Sequence, residues 1–168
     1  MKSIKRYETI INEALRSVLE YDTPEGQINE FISFFGKHIG ADRIYIFEDD
    51  VESHVTNNTY EWCAEGVQPQ IDDLQGVNME VIDWWYDSFN EGKSVIISDV
   101  EELKGVHQVS YNMLCYQKVH NVVVSPLRHK GQIRGFFGVD NPPEGDYTAL
   151  TLFLDMIGTM LISFLKIR

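Results

Sequence analysis

Apolar and polar positions follow two periods along this chain, and the stretch the rest is organised around is 121–143, NVVVSPLRHKGQIRGFFGVDNPP. Two apolar runs, 121–127 and 133–139, flank a polar turn at 129–132. Val122, Val123 and Val124 are β-branched and suit a pleated, buried surface. Gly131 supplies the positive φ of a tight hairpin turn. Gly135 and Gly138 weaken a strand unless something must approach its backbone closely. The pattern predicts a central antiparallel hairpin, with the rest of the chain covering its two faces.

Upstream the period is helical. Ile4, Tyr7, Ile11, Ala14 and Val18 form an amphipathic seam, too short to establish a coiled coil. Thr23 can cap a second helix with proline at its first position. Ile28, Phe31, Ile32, Phe35 and Ile39 share one stripe of it, and Gly40 closes it. Alternation then replaces the helical period. In 43–48, RIYIFE, Ile44 and Ile46 face one way and Tyr45 and Phe47 the other. A second strand spans 55–64, and 65–78 reads as a long loop of the kind that lines binding sites. Asn78 can cap a helix with Ile82, Trp85, Tyr86 and Phe89 on one face, ended by Gly92. A short strand at 94–98, a weak helical turn capped by Asp99 and a helix within 109–119 lead into the hairpin.

The closing stretch predicts one long helix, with Leu150, Leu154, Ile157, Leu161, Phe164 and Ile167 on one seam. Leu152, Phe153, Met156 and Met160 add a second apolar surface, so this helix needs two partners. One is the sheet; the other is the first helix or a second copy of the chain. Residues 147–165 approach the length of a membrane span, but Asp155 near the middle is costly in lipid, which favours a buried helix without membrane insertion. The element order predicts an α+β fold: a central antiparallel sheet of about five to six strands with the N- and C-terminal helices together on one face.

Composition narrows the function. The 168 residues fit one domain: a terminal helix over 1–22, a core over 23–146 and a closing helix over 147–168. A net charge of −12 disfavours unaided binding to nucleic acid or anionic lipid. Cys63 and Cys115 form neither a CxxC motif nor a disulfide framework, and no signal peptide opens the chain, so a cytoplasmic location is expected. The five histidines show no metal-ligand spacing, the acidic 48–52 loop lacks calcium-loop spacing, and no nucleophile-elbow, Walker or dinucleotide pattern occurs.

The ordered set ADRIYIFEDD, NTYEWCAEGVQPQ, SVIISDV and NVVVSPLRHKGQIRGFFGVDNPP, closed by a helix, resembles a GAF domain. It is most similar to those preceding diguanylate cyclase or histidine-kinase output modules in bacterial signalling proteins, and the resemblance covers roughly 24–168. It implies a small-molecule pocket on the sheet face opposite the terminal helices, roofed by the middle loops and helices. It also implies homodimer pairing through the first and last helices and an output domain downstream.

On that face Tyr45 and Phe47, with Tyr60 or Trp62 across the strand pair, are candidate ligand contacts. Trp84, Trp85 and Tyr111 come from the roofing segments, and Asp99 either caps its helix or holds a donor group of a ligand. Aromatic residues also fill cores that bind nothing. Trp84 and Trp85 are about 100° apart on a helix, so only one faces inward. Free methionine sulfoxide reductases resemble this fold and use roof cysteines, but their glycine-and-cysteine roof sequence does not occur here. Inert thiols are therefore the plainer reading of Cys63 and Cys115. In bilin-binding relatives the pigment cysteine would fall nearer His107 than Cys115, and the ordered residue set of cyclic-nucleotide-binding members is missing. The resemblance thus implies a sensory module with an unnamed ligand and no resident cofactor. The open alternatives are a ligand-free dimerisation module and, third, a redox enzyme.

Overall fold

The computed structural model describes residues 2–143 and 147–165. Six strands form one antiparallel sheet in the order β3-β2-β1-β6-β5-β4, comprising β1 (Arg43–Asp50), β2 (Val55–Cys63), β3 (Val77–Asn78), β4 (Val95–Ile97), β5 (Val122–His129) and β6 (Gln132–Asp140). The predicted hairpin is β5–β6, with His129 paired to Gln132. Lys130 and Gly131 both have positive φ, 52° and 76°, which gives the turn the twist that matches its strands.

Helices α1 (Lys2–Val18), α2 (Pro24–Ile39) and α5 (Tyr147–Leu161) cover one sheet face. Thr23 accepts the Gly26 amide and Gly40 closes α2 in the left-handed conformation, both as the sequence predicts. Phe35 of α2 and Leu154 and Ile157 of α5 pack with Ile44, Ile46, Val123, Phe137 and Val139 in a mostly apolar layer that also buries Ser125, and α1 packs on α2 and α5. Tyr7 of α1 meets Phe153 of α5 edge to face at 5.8 Å, so the two terminal helices touch. The closing helix is shorter than expected. It ends at Leu161, where residues 162–164 form a turn and the Ser163 hydroxyl donates to the Met160 carbonyl at 2.7 Å, competing with the helical ladder. Ile167 lies outside the described residues. Asp155 sits beside Ser125 and Arg128, and among the described residues no helix is long and apolar enough to cross a membrane.

The opposite face carries α3 (Asp83–Asn90), α4 (Gln108–Tyr116) and the loop between β2 and β3. The helix predicted after Asn78 begins as a 3-10 turn, Met79–Ile82, before α3.

Candidate functional site

Strand alternation builds this second face. Arg43, Tyr45 and Phe47 of β1 stand opposite Asp140, Gly138 and Phe136 of β6. Each rung has its own chemistry. Arg43 and Asp140 form an ion pair at 2.6 Å, both buried. The Tyr45 ring lies over Gly138, where any Cβ would collide with it. Phe47 and Phe136 stack at 4.6 Å. On the other side of β1, a bulge that leaves Thr59 unpaired sets Glu61 opposite Tyr45 and Asn58 opposite Phe47. Trp85 of α3 closes over Phe136 at 5.4 Å, joined by Ile82, Leu114 and the loop residues Gln70 and Leu74.

These residues enclose a cavity of about 40 Å³ between the sheet and its cover. That is room for one or two waters. Beyond Arg43, Gln70 and Gln117, which line both spaces, a wider polar cleft of about 640 Å³ runs past Asp42, Lys118 and Asn141.

The charges gather at the Arg43 end. Arg43 also donates to the Gln68 carbonyl at 2.7 Å, which ties the long loop to the sheet. Its Nε lies 3.8 Å from Glu61, whose carboxylate accepts the Gln70 and Ile71 amides. Burial pushes the Asp140 carboxyl up to about 6, against the pull of the Arg43 guanidinium. Burial, and then the neighbouring Asp140 charge, raises the Tyr45 phenol well above its ordinary value. Burial likewise pushes the Cys63 thiol up to about 11, while Cys115 is exposed. Among the described residues no cluster has the makings of a metal site.

The structure brings together Tyr45, Phe47 and Trp85 of the residues singled out from sequence. Trp85 is the inward tryptophan. Trp84 lies outside the cavity, stacked on His107 at 4.2 Å with its indole N–H donated to Ser110. Tyr60 and Trp62 are placed on the other face, a correction to the pocket expected around them. Directly opposed residues of an antiparallel pair point the same way, and their partners are Ile46 and Ile44. Trp62 packs against Gly36 of α2, where a Cβ would strike its ring. Asp99 is exposed and accepts the Glu101 amide at 3.0 Å, so it is a cap outside the cavity. Tyr111 packs at the edge of the same core, but its hydroxyl donates outward to Glu101 at 3.1 Å.

Sequence reasoning passed over Arg43, Glu61, Phe136 and Asp140. The signal was present: Arg43 shares parity with Tyr45 and Phe47, and Asp140 shares parity with Phe136. A charge on the buried side of an apolar strand needs a partner, and each was the other's.

No protein-family model matches the sequence, and no curated protein does. Solved structures do. A far-red-absorbing dark state with bound biliverdin aligns with a TM-score of 0.73 at 12% identity, over 92% of this chain and 96% of that one. The GAF domain of an Acinetobacter phosphoenolpyruvate-protein phosphotransferase aligns with a TM-score of 0.68 at 10% identity, over 94% and 91%. The free methionine-R-sulfoxide reductase of Neisseria meningitidis, in complex with its substrate, aligns with a TM-score of 0.69 at 12% identity, over 96% and 89%. These likenesses establish the fold: the chain has the α+β architecture of GAF domains.

Proposed function

We propose that this GAF-fold chain is a cytoplasmic sensory module of a bacterial signal-transduction protein. It binds a small molecule between the sheet and α3/α4, and passes the state of that cavity to a downstream output domain. A diguanylate cyclase or a histidine kinase would suit that position. The observation that carries the reading is a cavity with apolar walls whose polar end holds a buried, incompletely satisfied charge cluster. Arg43, Glu61 and Asp140 also hold the long loop to the sheet, but apolar side chains could fill the same space, so a buried charge cluster at the mouth of a cavity favours a binding role.

At about 40 Å³ the cavity is smaller than sites for drug-sized ligands, which run from about 300 Å³, so binding requires the roof to open. That opening would supply the coupling. A ligand that fits only an opened roof favours that state by its full differential affinity, and one that binds both states equally shifts nothing. Tyr45 and Ile46 are neighbours on β1, one in the cavity wall and the other under α2, so a displaced strand reaches α1 through α2. Leu152 and Met156 of α5, 59% and 62% exposed, give a second copy an apolar surface to cover.

Redox catalysis has less support. A reactive cysteine needs a thiolate, and burial keeps the Cys63 thiol protonated. A thermal-shift screen of several hundred metabolites tests the proposal. A ligand at a hundred times its dissociation constant adds about 2.7 kcal/mol, a rise of several degrees in a chain of this size. A flat response across the whole library would refute sensing.

A further inference from the structure

Two polar residues interrupt the layer between the sheet and α5, and neither lines the cavity. Ser125 of β5 is fully buried opposite Phe137. Asp155 is the one charged residue of α5 and sits beside Ser125 and Arg128. Gly158, one turn further on, lets the helix settle on the strand: a Cβ there would stand 3.3 Å from Leu127 and 3.6 Å from the Pro126 carbonyl. Both neighbours of Asp155 lead to the roof. The Ser125 hydroxyl shares a 2.7 Å hydrogen bond with that of Ser94, the residue through which the chain passes from α3 into β4. Arg128 donates to the Phe89 carbonyl, in the last turn of α3, at 2.7 Å. The sheet leaves room for this. β4 pairs with β5 only from Val122 to Val124, so 125–129 is an edge that no described strand covers. The register shifts between Leu127 and Arg128, and a bulge of this kind re-aims a side chain. Arg128 thus stands at the rim of the sheet, between Phe89 on one face and Asp155 on the other.

We infer that Asp155, Ser125 and Arg128 couple α3 to α5 around this edge, so that a displaced roof reaches the closing helix without passing through β1. The inference rests on the sensory reading above, in which the roof opens to bind. α3 holds Trp85 over Phe136, so opening the cavity displaces this helix. Its last-turn carbonyl carries the Arg128 cation with it, and the position of that cation sets the field at Asp155. The same contacts give a reason for a carboxylate in an otherwise apolar helix. Such a coupling acts equally in both directions, and only perturbing one end while reading the other demonstrates it.

Amide hydrogen exchange on the whole chain tests this without a ligand, with the amides of α2 as the reference for global opening. Asp155→Leu should speed exchange at the Glu91 and Gly92 amides, which close the end of α3, by about fivefold or more relative to α2. Arg128→Met should do the same for amides 157–161 of α5. The double variant should exceed neither single effect at its own site, because either change already cuts the route. If each variant loosens only its own element, Arg128 is a cap on α3 and Asp155 a partner for Ser125, and the coupling is refuted. A rise shared equally by α2 is a loss of global stability and refutes it too. Asp155→Asn, nearly the same shape, carries the reading if the leucine variant fails to fold. Failure here leaves the sensory reading to the thermal-shift screen. A flat screen beside reciprocal exchange keeps the coupling and removes the sensing.

Discussion

The two faces of one sheet were built from the same strands by different rules. Beneath α2 and α5, the side chains of Ile44, Ile46, Phe137 and Val139 pack in a largely apolar layer, in which Ser125 is buried opposite Phe137. One residue along each strand, the other face holds an ion pair, a second carboxylate, a tyrosine and a cavity. Folding alone explains the first face. The second retains buried polar groups that cost stability unless something pairs with them, and departures of this kind concentrate where function is exerted. The difference separates a mechanical face from a chemical one.

Removing the cation should break the chemical face hardest. Arg43→Met leaves Asp140 and Glu61 facing each other without compensation and should cost about 3–5 kcal/mol by urea denaturation at pH 7. A loss under about 1 kcal/mol would mean that the cluster is not held as described. On the mechanical face the matched change is Leu154→Ala, which opens a hole in a dry layer and should cost about 2–5 kcal/mol with ligand affinity unchanged.

The pH dependence separates the faces further. Asp140, pushed up to about 6, binds its proton more tightly in the folded chain than in the unfolded one. Its contribution to stability is therefore complete below about pH 4 and is lost as the pH rises through 6, a change of up to about 3 kcal/mol. Denaturation midpoints taken from pH 4 to 7 should show that fall from this group, and Asp140→Asn should flatten it. An unchanged slope in the variant assigns the titration elsewhere. Smallest in stability is the pair Leu152→Lys and Met156→Lys, exposed and expected within about 0.5 kcal/mol each. The readout there is mass in sedimentation. Loss of a dimer supports pairing through α5, and a dimer that persists contradicts it.

Much of the fold was legible because its signals are local. The alternation in β1, the Thr23 and Gly40 caps and the β5–β6 turn each follow from a few neighbouring residues. The site was legible only in part. Tyr45 and Phe47 could be placed by parity within their own strand. Tyr60 and Trp62 could not, because their face depends on register against β1 and on the bulge at Thr59, which no local pattern encodes. The Arg43–Asp140 pair joins positions 97 apart in sequence, and only pairing β1 with β6 brings them opposite.

A crystallographic fragment screen puts the division between the faces to the most direct test. Fragments should bind between Tyr45, Trp85 and Arg43, with the roof displaced and the layer under α5 intact. If every fragment lay on the outer surface, and water with the chain's own side chains filled that space in all crystals, the chemical face would be no more than a second core.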